Sequence, residues 1–410
     1  MKKNCIVAQS GGPTAAINAS LAGVVKEAVS CGEFDTVYGS QNGITGILDD
    51  NFLNLTNLVK EDPNNLYTLQ KSPAMYLGSC RFKLPSETED EETYKKIFET
   101  FGNMNVSAFF YIGGNDSMDT VLKLSAYGEK ISSPVRILGI PKTIDNDLCI
   151  TDHTPGFGSA AKYIAATMLE IAHDTYIYNI KSVTIVEIMG RDAGWLTASS
   201  ALARNAYSKA PHLIYLPEAP FSTEQFISDV KSLLEKQNDV IVAVSEGIRD
   251  KDGKYISASD ERLDNFGHVQ LNGAGKTLEY LVSEKLGVKV RSIELNILQR
   301  CAAHLASKTD LKEAFASGET AVKLALEGVT ASMVAMKRDK EEPYTISYQA
   351  APIGNIANEI KSVPREWIND QGNDVTSEMV SYLLPLIQGE VEPAYENGIP
   401  VYLPVKHLIH

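Results

Sequence analysis

Residues 141–147, Pro-Lys-Thr-Ile-Asp-Asn-Asp, put two carboxylates, a hydroxyl and an ammonium directly behind an apolar run. Charges crowded this closely are costly to hold unless they face a ligand or a metal. A plain acidic turn would need neither Lys142 nor Thr143. Three other glycine-bearing turns share the layout of apolar run, turn and helical pattern. Gln9-Ser10-Gly11-Gly12 offers bare backbone amides and a helix start, a setting that binds phosphate. Gly113-Gly114-Asn115-Asp116-Ser117 adds oxygen ligands suited to Mg²⁺. Met189-Gly190-Arg191-Asp192 presents a guanidinium, which grips phosphate through two parallel hydrogen bonds. Each has a blander alternative. The first can be a structural turn, Asp116 and Ser117 can simply cap a helix, and Arg191 can pair with a structural carboxylate.

What positions these turns is a set of short apolar segments at 4–9, 108–112, 136–140, 183–188, 213–216, 240–245 and 290–295. They are near-continuously apolar, as strands covered on both faces are. Helical patterns at 15–30, 117–127, 157–173 and 222–237 lie between them, the last opening on a capping box, Ser222-Thr223-Glu224-Gln225. This alternation predicts an α/β protein of parallel, doubly wound sheets, with ligands beyond the carboxyl ends of the strands. The charged stretch 337–343 reads as a break, and 337–410 as a C-terminal extension packed on the body.

The chain of 410 residues has room for two or three lobes with a sizeable core. It contains 44% hydrophobic residues and no apolar stretch of membrane-spanning length. The N-terminal apolar run is too short for a signal peptide. Five scattered cysteines without a CxxC argue against a disulfide framework or zinc site and fit a reducing cytoplasm. A net charge of −14 excludes nucleic acid and anionic membranes as natural partners. An anionic small molecule would need a local basic cluster.

The ordered set Ser10-Gly11-Gly12, residues 78–82 (Gly-Ser-Cys-Arg-Phe), Gly-Gly-Asn-Asp-Ser at 113–117, the 141–147 segment, Met-Gly-Arg at 189–191, Ser-Glu-Gly at 245–247 and Gln-Arg at 299–300 resembles the phosphofructokinase family over about residues 1–335. The resemblance implies two Rossmann-like lobes with the active cleft between them. It implies Mg²⁺ as cofactor, held by Asn115 and Asp116, and a homodimer or homotetramer. Asp145 resembles the base that takes the proton from the 1-hydroxyl of fructose 6-phosphate, flanked by Thr143, Ile144 and Asp147. Met189, Gly190, Arg191 and Glu246 resemble the sugar-binding residues. Arg300 and Arg291 resemble the pair on the 6-phosphate, Arg291 reaching across a subunit interface. Gly11, Arg81, Gly114, Asp116 and Lys142 resemble the donor side. Segments 1–140 with about 256–305 are expected to form the donor lobe, and 141–255 with about 306–336 the sugar lobe.

ATP-using relatives carry glycine where Asp116 and Lys142 stand. A carboxylate at 116 would point at the α-phosphate of ATP. Like charges about 4 Å apart at an effective dielectric of 20 repel by roughly 4 kcal/mol, about a thousandfold in binding. Pyrophosphate lacks that third phosphate, so the resemblance is to the pyrophosphate-dependent branch and implies a reversible reaction in glycolysis. An ATP-using or dual-donor kinase, or one acting on sedoheptulose 7-phosphate, is the alternative. A catalytically dead sugar-phosphate-binding subunit is a third reading, against which Asp145, Thr143 and Arg191 stand. Asn115 replaces the family's Asp, Ile297 its His or Tyr, and Ser182 a common Arg. Leu21 and Val25 replace arginines of nucleotide-regulated enzymes. Residues 272–277, Asn-Gly-Ala-Gly-Lys-Thr, mimic the tail of a phosphate loop without its first glycine or a preceding strand. Gly156-Phe157-Gly158 reads as a helix start.

Overall fold

In the computed structural model, residues 3–80, 82–256 and 273–404 are described. Among the described residues thirteen strands run in chain order: β1 (Lys3–Gln9), β2 (Phe34–Ser40), β3 (Phe52–Asn54), β4 (Val106–Gly113), β5 (Arg136–Pro141), β6 (Ser182–Ile188), β7 (Leu213–Tyr215), β8 (Asp239–Ser245), β9 (Lys289–Glu294), β10 (Ser332–Lys340), β11 (Thr345–Pro352), β12 (Ala394–Glu396) and β13 (Ile399–Val401). All seven strands anticipated from apolar runs are present. The first sheet has the order β11-β10-β5-β4-β1-β2-β3 and the second β7-β8-β6-β9, and β12 pairs with β13 apart from both. β1, β2, β4 and β5 are mutually parallel, as are β6, β7, β8 and β9.

Alternate residues of each strand feed opposite layers, which is why these segments are apolar throughout. In the first lobe Cys5, Val7, Phe110 and Ile140 pack under the helices Ile17–Ser30 and Lys308–Leu326, while Ile6, Ala8, Phe109 and Tyr111 pack under Glu91–Asn103 and Asn115–Lys130. In the second, Val186, Ile188 and Ala243 meet the helix Phe157–Tyr176. Val183, Val240 and Val242 meet Thr223–Leu234 and Ala274–Leu286.

Three expectations are corrected. β9 pairs with β6, so the segment around 289–294 belongs to the second lobe, not the first. The helix Lys308–Leu326 and β10 join the first lobe, not the second. The two returning segments are exchanged because strand pairing is a long-range choice that neither segment's own residues announce. The charged stretch at 337 is no break: β10 runs through it and turns into β11, an antiparallel edge hairpin of the first sheet. The extension therefore begins inside the body.

Candidate active site

A cleft of about 460 Å³ opens between the lobes, lined by Gly11, Gly12, Gly114–Ser117, Lys142, Thr143, Asp145, Asp147, Arg191–Ala193, Glu246 and Ile360. The four turns named from the sequence converge there because each follows the carboxyl end of a strand: β1, β4, β5 and β6.

The 142–147 turn is anchored by its own backbone. Lys142 N–H donates to Gly113 O (3.0 Å) and Thr143 N–H to Pro155 O (3.3 Å). Thr154 Oγ1 donates to Thr143 O (2.9 Å), and Asp145 N–H donates to Thr143 Oγ1 (3.1 Å). The buried Lys142 ammonium donates to Gly12 O (2.8 Å). Gly11 has φ +79°, and a Cβ there would stand 3.0 Å from Lys142 Nζ, so glycine is what lets this loop and the lysine coexist.

Loss of hydration pushes the Asp145 carboxyl up to about 7, helped by the Asp147 and Glu246 charges and opposed by Lys142 and Arg191. Burial raises Asp147 as well. Burial lowers Lys142 to about 8, against the pull of Asp145 and Asp147. Among the described residues, three buried polar atoms in this cleft have no hydrogen-bond partner: Asn115 Oδ1, Asp147 Oδ1 and Arg191 Nε. Buried polar atoms are ordinarily satisfied, so these three are open to a ligand that enters the cleft.

The opposite wall is tied together internally. Gly190 N–H donates to Glu246 Oε1 (3.2 Å) and Met189 N–H to Gln299 Oε1 (3.3 Å). Ser245 Oγ donates to Gly190 O. Gly190 has φ +135°, and a Cβ there would lie 2.6 Å from Ala193 O. Burial raises the Glu246 carboxyl. Arg300 reaches towards the first turn: its Nη1 lies 3.4 Å from where a Cβ on Gly12 would be.

Of the anticipated residues, Ile144 has its side chain in the apolar core, leaving only backbone to the site. Half-buried Met189 packs on that core. Arg291 lies outside the cleft, 3.3 Å from Asp174 on a partly exposed surface. Arg81 lies outside the described residues. Asp116 is solvent-exposed in the wall, where water screens its charge. Gln299 was legible only as part of a motif, without a role. Lys361 and Tyr382, behind the 142–147 turn, carried no signal. The phosphate-loop mimic does other work: Gly275 N–H donates to Glu187 Oε2 (2.7 Å) and Lys276 pairs with Glu279 (2.6 Å). Gly156 does open the helix Phe157–Tyr176.

The profile of the family described as Phosphofructokinase matches residues 4–325. A protein of Halomonas elongata named pyrophosphate–fructose 6-phosphate 1-phosphotransferase is 41% identical over 97% of this chain and 94% of its own. One of the same name from Xanthomonas campestris is 40% identical over 99% and 96%. The crystal structure of a pyrophosphate-dependent phosphofructokinase from Nitrosospira multiformis superposes with a TM-score of 0.87 at 36% identity, covering 98% of this chain and 96% of that one.

Proposed function

The chain belongs to the phosphofructokinase family, and from that premise we propose that it transfers a phosphoryl group from pyrophosphate to the 1-hydroxyl of fructose 6-phosphate, reversibly, giving fructose 1,6-bisphosphate and phosphate. The observation that carries this reading is Asp145, a carboxyl matched to neutral pH, beside the buried Lys142 ammonium at the meeting of four turns.

Ionised Asp145 accepts the proton of the 1-hydroxyl. The freed oxygen attacks the nearer phosphorus of pyrophosphate, and the bridging P–O bond breaks. Lys142 meets the charge gathering on the moving and departing phosphates. Gly11, Gly114 and Arg81 complete the donor side. Arg191, Glu246 and Arg300 hold the sugar phosphate, with backbone from Ile144, Met189 and Gly190. Asn115 and Asp116 fit Mg²⁺: one offers a buried, unpartnered carbonyl oxygen and the other a carboxylate in the same wall. The ion would neutralise phosphate charge there. Among the described residues no group of three or more His, Cys, Asp or Glu could hold a metal, so substrate phosphates would supply further ligands.

Arg291 serves the 6-phosphate only in a neighbouring subunit, which makes the working form a homodimer or homotetramer. The exposed Ile177 and Tyr178 near Asp174 suit such a contact. Five free thiols support a reducing cytoplasm. No described helix is long and apolar enough to cross a membrane.

The test is phosphorylation of fructose 6-phosphate by the purified protein with pyrophosphate or ATP as donor. Turnover with pyrophosphate is expected, and turnover with ATP alone would overturn the assignment.

A further inference from the structure

We propose that the C-terminal part of the chain sets the shape of the catalytic turn through one residue, Asn146, gripped from both sides by Lys361 and Tyr382. Asn146 stands between Asp145 and Asp147, fully buried, with φ +55°. A non-glycine residue keeps that left-handed conformation where its surroundings over-determine it. Here they do. Lys361 Nζ donates to Asn146 Oδ1 (3.2 Å), and Asn146 Nδ2 donates to Tyr382 Oη (2.9 Å). Both ends of the amide are thereby fixed by residues 215 and 236 positions away in the chain.

The grip extends along the turn. Lys361 Nζ also donates to Thr151 O (3.2 Å) and Asp152 O (2.9 Å), and its backbone N–H donates to Asp147 O (2.8 Å). Tyr382 Oη donates to Asp152 O (2.7 Å). The clamp is itself fastened to the second lobe. Trp195 Nε1 donates to Lys361 O (2.8 Å), and Glu218 Oε1 accepts from both Gly194 N (2.8 Å) and Val363 N (2.9 Å). One strap therefore fixes the turn carrying Asp145 and the turn carrying Arg191 relative to each other. Neither Lys361 nor Tyr382 lines the phosphoryl cleft; both border a separate hollow of about 590 Å³ behind it. They are positioning residues, acting through Asn146.

This rests on Asp145 being the base. The experiment is a double-mutant cycle on full-length protein, with circular dichroism confirming that each variant is folded. Lys361→Met and Tyr382→Phe keep their apolar bulk and lose the polar atom. A misplacement of the order of 1 Å costs about a hundredfold, so kcat is expected to fall by about that factor in K361M and by about tenfold in Y382F, with both KM values within about threefold. Asn146→Ala should lose about as much, and adding either change to it should cost clearly less than the sum of the two single losses, because the contacts on Asn146 are counted in both. Unchanged kcat in folded Y382F, or losses that add to that of N146A, would overturn the clamp. Asp145→Ala, run alongside, separates the two readings. If D145A is inactive while the others turn over normally, the clamp alone falls. If D145A keeps its activity, the base assignment falls and takes the clamp with it.

Discussion

The two walls of the cleft are built differently. On the side of Gly190 and Glu246, backbone amides, a carboxylate and the Gln299 amide are bonded to one another before any ligand arrives. On the side of Asp145, Asn115 and Asp147 keep buried oxygens without partners, and burial has moved an acid and an amine towards neutral pH. Apart from Arg191 Nε, left open there, and the raised Glu246 carboxyl, the first wall fixes a shape, and the second holds charge in tension. A shape selects what binds, and displaced charge is discharged only as bonds change. The proposed mechanism accordingly places KM mostly with the first wall and kcat mostly with the second.

The deepest break in that division should come from Asp145→Ala. A general base contributes about 10²–10⁴-fold, and kcat measured with saturating pyrophosphate should fall towards the upper end. Next is Lys142→Met, where losing the cation at the moving phosphate should cost about 10²–10³-fold in kcat. The pH profile sharpens the same point. Asp145 must be ionised, so kcat/KM should rise through about 7; Lys142 must be protonated, so it should fall beyond about 8. In Lys142→Met the alkaline limb should disappear. On the shaped wall, Glu246→Gln keeps the hydrogen-bonding outline without the charge. It should raise KM for fructose 6-phosphate about tenfold while kcat moves by less than about threefold.

The smallest effect is on stability. His153 Nδ1 meets Asp152 (2.8 Å) and its Nε2 meets Glu313 (2.7 Å). Burial alone would lower this imidazole, but Glu313 and Asp152 outweigh it and raise it to about 9 from 6.5. A raised cationic pKa stabilises fully below the unfolded value and is lost as pH climbs through the folded one. Tm should therefore decline between about pH 6.5 and 9, and less so in His153→Asn.

The charged wall was the more legible in the sequence. Lys142, Asp145 and Asp116 are chemically conspicuous at strand ends, and strands buried on both faces are apolar runs. β2 and β11 mix exposed and buried positions and gave no such run. β10 is buried over its first half and charged over its last, so only the charge was visible. Lys361 and Tyr382 act across more than two hundred residues, and nothing beside them in the chain marks their partner. The crossing of segments between lobes was hidden for the same reason: pairing is decided by the assembled sheet.

The pairing of β5 with β10 has a consequence for the newborn chain. β5 ends at Pro141 and its outer neighbour begins at Ser332, 332 − 141 = 191 residues later. At the usual pace of translation, about 5–20 residues per second, the nascent first sheet waits roughly 10–40 s with that flank bare. Until β10 is made, that flank of β5 has no strand partner, and an unpaired edge invites pairing with another chain.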